Sequence, residues 1–180
     1  MQRAPISSVL CLLIVSSDAS ETHPHYVRGA LQQVSESIGQ SGGVEDEAYG
    51  SATPRVSGDG TKVVFYSDAY FNDATPSGNN DYHIWMADVT AVGANGAFPK
   101  TSIYADPTGK DSKGPVVNED GSAVAFARAD DKIFFWSSAD TTPRELASSA
   151  YDSTGDVAIS ADGQWVTYEK KSVYDVHLIK

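Results

Sequence analysis

Three stretches of the chain repeat one pattern of apolar and polar positions around an Asp-Gly pair. They read VSGDGTKVVFYS, VNEDGSAVAFAR and ISADGQWVTYEK, at residues 56–67, 117–128 and 159–170. A β-branched residue stands three positions before each aspartate, and a mostly apolar run with valine at the third position follows each glycine. An Asp-Gly pair suits the positive φ angles of a tight hairpin turn, and residues two apart in a strand share one face. Each stretch therefore predicts a β-hairpin.

The second strand of each predicted hairpin carries apolar residues on both of its faces. The columns on one face are Val63, Val124 and Val166, then Phe65, Phe126 and Tyr168. The column between them, on the other face, is Val64, Ala125 and Thr167. A near-continuous apolar run is typical of a strand that is buried on both faces. The pattern therefore predicts sheets stacked face to face.

Further strands follow or close each hairpin. The sequence predicts them at residues 83–88, 132–137 and 175–180, and closing strands at 30–37 and 143–149. Pro54 and Pro115 stand five positions before the aspartates, where the third copy has Val157, and proline suits the start of a strand. No segment shows a sustained helical period, although residues 27–38 could form a short helix.

The spacing of the copies matches one blade of a β-propeller. Asp120 follows Asp59 by 61 residues, and Asp162 follows Asp120 by 42; propeller blades repeat every 40–50 or so residues. The excess in the first copy falls in residues 68–81 and 90–113, which are interpreted as insertions. The predicted fold is all-β, with about three four-stranded antiparallel blades of an incomplete or truncated propeller.

The predicted domain boundaries follow these copies. Residues 20–50 close a preceding blade and connect it to the next. The blades themselves are predicted at 51–113, with long insertions, at 114–153, and at 154–180 as a partial blade.

The shared motif Pro-x-Val-Ser-x-Asp-Gly-x-x-Val-x-Phe resembles the PD40 or WD40-like propeller repeat of the TolB type. The resemblance covers roughly residues 30–180, and the departures are Val157 for proline, Asn118 for serine and the long segment 90–113. It implies a rigid propeller platform for protein or ligand contacts, and in some relatives a propeller accompanies a peptidase domain. Propellers close with 4–8 blades, so about three copies imply a fragment or part of a ring.

The composition of the chain disfavours several classes of function and of structure. The net charge is −11, which disfavours nucleic acid, since phosphate backbones are bound by clustered lysine and arginine. The single cysteine, Cys11, excludes an internal disulfide and a CxxC motif. No apolar run reaches the 18 residues that indicate a spanning helix.

The N-terminus has two interpretations. Arg3, an apolar core at residues 9–15 and small residues near Ala19 are typical of a signal peptide over residues 1–19. Alternatively, IVSSDAS (14–20) echoes VFYSDAY (64–70) and is a degenerate strand of an earlier blade. The first interpretation predicts a secreted, periplasmic or cell-envelope protein.

The sequence assigns no catalytic, cofactor-binding or metal-binding residue. No GxSxG elbow occurs, Ser57 belongs to a repeat turn, and Asp59, Asp120 and Asp162 are predicted to hydrogen-bond their own turns. His23 and His25 flank Pro24 without further zinc ligands. His83 and His177 lie in or beside strand columns and are interpreted as structural. No cofactor is predicted.

Calcium and carbohydrate are weaker alternatives. The oxygen-rich segments 72–81, with Asp73 and Asp81, and 43–50 could take a hard cation, but a solvated loop is favoured. Trp85, Trp136 and Trp165 could line a sugar groove, but packing between blades is favoured.

The leading hypothesis is a non-enzymatic recognition or scaffold propeller that binds a protein or small ligand through its rim loops, with 68–81 the best candidate. Two alternatives stay open. One is the propeller part of a larger hydrolase, and the other is a calcium-dependent carbohydrate-binding propeller.

Overall fold

A computed structural model describes residues 34, 51–69, 71, 81–91, 98–148, 157–170 and 175–180. These residues form three antiparallel sheets. The first contains β1 (Ser51–Val56), β2 (Lys62–Ser67), β3 (His83–Asp88) and β4 (Lys100–Tyr104). The second contains β5 (Ser112–Val117), β6 (Ala123–Arg128), β7 (Lys132–Ser137) and β8 (Arg144–Ser148). The third contains β9 (Val157–Ile159), β10 (Val166–Lys170) and β11 (Asp175–Ile179).

Each sheet is a simple meander, with spatial order equal to chain order. The predicted hairpins are confirmed as β1–β2, β5–β6 and β9–β10. The predicted strands at 83–88 and 132–137 are confirmed as β3 and β7, and the one near 143–149 as β8. The predicted strand at 30–37 and the short helix at 27–38 lie outside the described residues except for Val34. In the part of the chain that the structure describes, no helix could cross a membrane.

The fourth strand of the first sheet lies inside a segment that the sequence indicates as an insertion. β4 occupies Lys100–Tyr104 within 90–113. Only Ile103 of this strand is buried, at 5% exposure. An outer strand with a single buried residue lacks the alternating apolar pattern from which strands are predicted.

The two prolines lie within strands and not at their starts. The β1–β2 register shifts between Ala52 and Arg55, and the β5–β6 register shifts between Lys113 and Val116. The residue before each proline, Thr53 or Gly114, has positive φ, +44° or +58°. Proline lacks an amide donor and is tolerated where a bulge interrupts the ladder. The third copy, with Val157, pairs in unbroken register.

Apolar side chains join neighbouring sheets. Between the first and second sheets lie Val64, Ile84, Ile103, Val124, Phe126 and Phe134. Between the second and third lie Ala123, Ala125, Ala127, Ile133, Phe135, Val157, Val166 and Tyr168. The column Val124 and Phe126 thus faces the preceding sheet while Ala125 faces the following one. The expectation of strands buried on both faces is confirmed for β2 and β6. On the outer face of the first sheet, Val34 packs with Val63 and Phe65 of β2.

The Asp-Gly turns are linked to one another at one edge of the sheets. The Asp59 amide donates to the Glu119 carbonyl at 2.8 Å, and the Glu119 amide donates to the Ala161 carbonyl at 3.0 Å. The first strands of the sheets are neighbours as well, since β5 contacts both β1 and β9. Main-chain bonds between turns therefore hold the three sheets in order.

Two turn glycines provide a matched pair of substitutions. Gly60 and Gly163 both have φ near +70°, at +73° and +70°. A Cβ on Gly60 meets nothing within 4 Å, whereas one on Gly163 comes within 3.0 Å of the Ala123 Cβ and 3.1 Å of the Asn118 Nδ2. We expect Gly60→Ala to lower the free energy of unfolding by about 1–2 kcal/mol, the cost of a left-handed alanine. Gly163→Ala should cost about 1–3 kcal/mol more because of overpacking.

Urea denaturation of the two variants measures this difference. Equal losses in the two variants would contradict the close packing of the third turn against the second sheet.

Candidate functional site

The motif aspartates act inside their own turns. Oδ1 of Asp59, Asp120 and Asp162 accepts a hydrogen bond from the amide two residues ahead, at 2.9, 2.9 and 3.0 Å. The Ser57 hydroxyl also donates to Asp59, and the Ser160 hydroxyl to Asp162. Hydrogen bonds from Ser57 and then Thr61 lower the pKa of Asp59. The predicted turn role of these aspartates is confirmed.

Asn118 performs the task of the serine that it replaces. Its Nδ2 donates to Asp120 at 2.9 Å, and its Oδ1 accepts from the Ala123 amide at 2.9 Å. Ser57 and Ser160 make the equivalent two contacts with one hydroxyl each. The departure from the repeat pattern at position 118 therefore preserves the turn.

A buried ion cluster lies between the first and second sheets. The Arg128 Nη1 donates to Asp106 Oδ2 at 2.8 Å and to the Tyr104 hydroxyl at 3.1 Å. Its Nε and Nη2 donate to the two oxygens of Asp130 at 2.7 and 2.6 Å, and its guanidinium lies 4.6 Å from the Phe134 ring centroid. The Asp106 side chain is completely buried and that of Arg128 is 12% exposed.

The hydrogen bonds and charges within this cluster favour the ionised forms of its carboxylates. The Arg128 hydrogen bonds lower the pKa of Asp130 to about 2. Burial alone would raise the pKa of Asp106, but hydrogen bonds from Thr108 and the Arg128 charge outweigh it, so the pKa lies below the ordinary value. All three charges are mutually satisfied, and the cluster joins the segment after β4 to β6.

The histidines in the described residues are packed within strands. His83, at the start of β3, is 2% exposed, and its Nδ1 has no hydrogen-bond partner. Burial lowers the pKa of His83, and the nearby carboxylates, Asp81 foremost, only partly oppose this effect. His177 stacks on Tyr168 with centroids 5.4 Å apart. His23 and His25 lie outside the described residues.

The three tryptophans have different surroundings. Trp85 is fully buried in the first sheet's core, and Trp136 is partly buried against the apolar layer between the first two sheets. Trp165 is 38% exposed, and Lys180 Nζ lies 5.3 Å above its ring. The structure therefore places Trp85 and Trp136 in packing contacts and leaves Trp165 accessible.

Metal ligands do not gather in the described ranges, where no group of three histidine, cysteine, aspartate or glutamate side chains could hold an ion. The calcium alternative depended on residues 72–81 and 43–50. Apart from Asp81 these residues lie outside the described part of the chain, and so does most of the rim loop 68–81.

An open cleft lies between the second and third sheets. It has a volume of about 280 Å³, and its lining includes Phe135, Arg144, Leu146, Val166, Ile179 and Lys180. Val166 is 2% exposed and forms part of the apolar floor. Arg144 stands opposite Phe135 in the β7–β8 ladder, and its guanidinium lies 5.0 Å from the Phe135 centroid.

The cations at this cleft differ from most others in the described residues. Lys62, Lys110, Lys113, Arg128 and Lys132 form ion pairs with carboxylates. Arg144 and Lys180 form no ion pair with any described carboxylate. In a chain with 24 acidic and 13 basic residues, these two cations beside an apolar cavity make the cleft the candidate binding site within the described residues, although the Lys180 charge also acts on Asp162, whose pKa it helps to lower. Sequence reasoning missed it, because the sequence does not show that β8 and the third sheet face each other.

Of the comparisons with known proteins, only the one with solved structures gives matches. No family model matches the chain, and no curated protein matches it. Among solved structures, an oligogalacturonate lyase in complex with manganese is similar, with a TM-score of 0.51 and 15% identity, over 83% of this chain and 37% of that one. An oligogalacturonate lyase from Vibrio parahaemolyticus gives a TM-score of 0.44 and 12% identity, over 72% of this chain and 35% of that one.

At such identities the likeness shows the fold alone. Three antiparallel meanders stacked face to face, together with the first of these neighbours, define the class: the chain has a β-propeller fold. It spans 37% of the length of that neighbour.

Proposed function

We propose that this chain is part of a recognition propeller that binds a ligand in the cleft between the second and third sheets. The observation that carries the proposal is Arg144, a cation that forms no ion pair with a described carboxylate and lies over Phe135 at the edge of an apolar cavity. An ionised donor forms stronger hydrogen bonds than a neutral one. Loops and clefts on a rigid scaffold are where binding residues concentrate.

The chemistry of the cleft lining supports the binding role. The residues that line the cleft are Phe135, Arg144, Leu146, Gly163, Gln164, Val166, Ile179 and Lys180. This set offers cations, one amide and apolar surface, which are groups suited to hold a ligand.

The three motif copies support membership of the PD40/TolB-type repeat class, and the composition of residues 1–19 supports export to the envelope or the medium. Export places the binding cleft in contact with molecules outside the cytoplasm. In this recognition role, the rim loops form a second surface, which contacts a protein partner.

A fragment screen tests the binding role without assuming a ligand. We expect a library of small acidic, basic and neutral compounds to include members that saturate one site and shift the backbone NMR signals of Val166 and Ile179. The bound compounds should be recovered unchanged after prolonged incubation, by mass spectrometry. Chemical conversion of a bound compound would favour an enzyme, and an absence of shifts at the cleft across the library would refute the binding role.

A further inference from the structure

We infer that the cleft between the second and third sheets takes a small carboxylate with a flat apolar body. This inference rests on the proposed binding role and names the ligand class. The protein contains two arrangements in which an arginine lies over a phenylalanine ring. In one of them the carboxylates of the protein bind the arginine, and in the other no described carboxylate does.

The complete arrangement lies between the first and second sheets. There the Arg128 guanidinium lies 4.6 Å from the Phe134 centroid, and Asp130 accepts two hydrogen bonds from it in the side-by-side geometry of a bidentate pair. An arginine that stacks on a ring keeps the donors at its edge available, since the stack uses only the flat face of the guanidinium. The carboxylates of Asp130 and Asp106 occupy those donors.

The incomplete arrangement lies one sheet interface further along. The Arg144 guanidinium lies over the ring of Phe135, the neighbour of Phe134 in β7, 5.0 Å from its centroid. No described carboxylate forms an ion pair with Arg144. Contact with the ring favours one position of the exposed Arg144 side chain before any ligand arrives, which reduces the ordering cost of binding. In this proposal, the carboxylate that completes the arrangement belongs to a bound ligand.

The floor of the cleft determines which apolar group the carboxylate ligand carries. Leu146, Val166 and Ile179 present aliphatic surface beside the Phe135 ring. The volume of about 280 Å³ lies just below the usual range of ligand pockets, which begins near 300 Å³, so the body is a small ring system. Lys180 lines the cleft, with its Nζ over Trp165, and adds local positive charge to a protein whose net charge is −11.

The test uses three probes: 2-naphthoate, its neutral isostere 2-naphthamide, and acetate. Isothermal titration calorimetry measures the affinity of each probe. We expect 2-naphthoate to bind at one site. The other two should bind at least about tenfold more weakly, since 2-naphthamide lacks the carboxylate and acetate lacks the ring. Arg144→Gln should weaken 2-naphthoate binding about tenfold and leave 2-naphthamide binding unchanged. Arg144→Lys, which keeps the charge but loses the bidentate geometry, should fall between.

Arg55→Gln is the matched control. It removes the same charge from β1 of the first sheet, where Arg55 contacts the Pro54 carbonyl, and should not change the affinity. If 2-naphthamide binds as tightly as 2-naphthoate, with NMR shifts at Val166 and Ile179, the carboxylate assignment is wrong while the binding role stands. An unchanged affinity of Arg144→Gln for 2-naphthoate also overturns the assignment. Failure of all three probes, together with a fragment screen without cleft shifts, overturns both.

Discussion

Replacing Arg128 with methionine is expected to lower the free energy of unfolding by about 3–5 kcal/mol, the usual cost of removing one partner from a buried ion pair. The substitution leaves the Asp106 carboxylate, whose side chain is completely buried, without its cation. It also removes both hydrogen bonds to Asp130. Urea denaturation followed by circular dichroism measures the loss.

Lys132→Met is the matched control for this variant. Lys132 pairs with Glu145, whose side chain is 40% exposed, and exposed pairs contribute about 0–1 kcal/mol. The double variant Asp106→Asn/Arg128→Met should recover part of the loss, because it no longer buries an unpaired charge. A loss in Arg128→Met no larger than that in Lys132→Met would refute the stabilising role of the buried cluster.

Arg128→Met should also change how steeply the free energy of unfolding falls at acid pH. The pKa of Asp130 in the folded protein is about 2, against an ordinary value of 3.8. Because the folded-state pKa is lowered, the contribution of Asp130 to stability is present above the ordinary value and is lost as the pH falls towards 2. Arg128→Met removes the largest cause of this lowering and leaves only the contribution of Lys110, so its stability should decline less steeply than that of the wild type over this interval.

Phe126→Ala is expected to lower the free energy of unfolding by about 3–5 kcal/mol. Phe126 is fully buried in the layer between the first two sheets. Its ring stacks on Phe134 with centroids 5.7 Å apart, and the Tyr104 ring lies at 5.4 Å. The truncation therefore leaves a cavity where three strands of two sheets meet.

Two further substitutions separate this packing effect from a general loss of apolar surface. Phe126→Leu keeps most of the buried volume and should cost less than the alanine variant. Trp165→Ala removes a larger ring from a site that is 38% exposed and should also cost less. If either variant loses as much stability as Phe126→Ala, the ring of Phe126 does not join the two sheets as described.

The repeat in the sequence was sufficient to predict much of the fold. β2 and β6 are readable because Val63 to Phe65 and Val124 to Phe126 carry apolar side chains on both faces, and only stacked sheets can bury both. β4 could not be read, since it buries Ile103 alone. The bulge at Pro54 was also missed, because a proline five residues before the turn is equally compatible with the start of a strand.

The candidate site was harder to predict than the fold. Arg144 and Phe135 become neighbours through the β7–β8 register, and the opposing wall of Val166 and Ile179 comes from another sheet. One local signal existed: Arg144 alternates with Leu146 along β8, in a chain where basic residues are few. This alternation shows that Arg144 and Leu146 share one face of β8, but it does not show whether a carboxylate pairs with Arg144. Pairing depends on side chains distant in sequence, as Asp106 and Arg128 illustrate.

The links between turns have a practical consequence for engineering this protein. The Glu119 main chain bridges its neighbours on both sides, and the corresponding position is Gly58 in the first copy and Ala161 in the third. The bridges use only carbonyl and amide groups, but the exposed Glu119 side chain lies directly over Gly58, where a Cβ would collide with its carboxylate. A fluorophore attached at position 119 would therefore report on the junction of the three turns, provided that position 58 keeps its glycine.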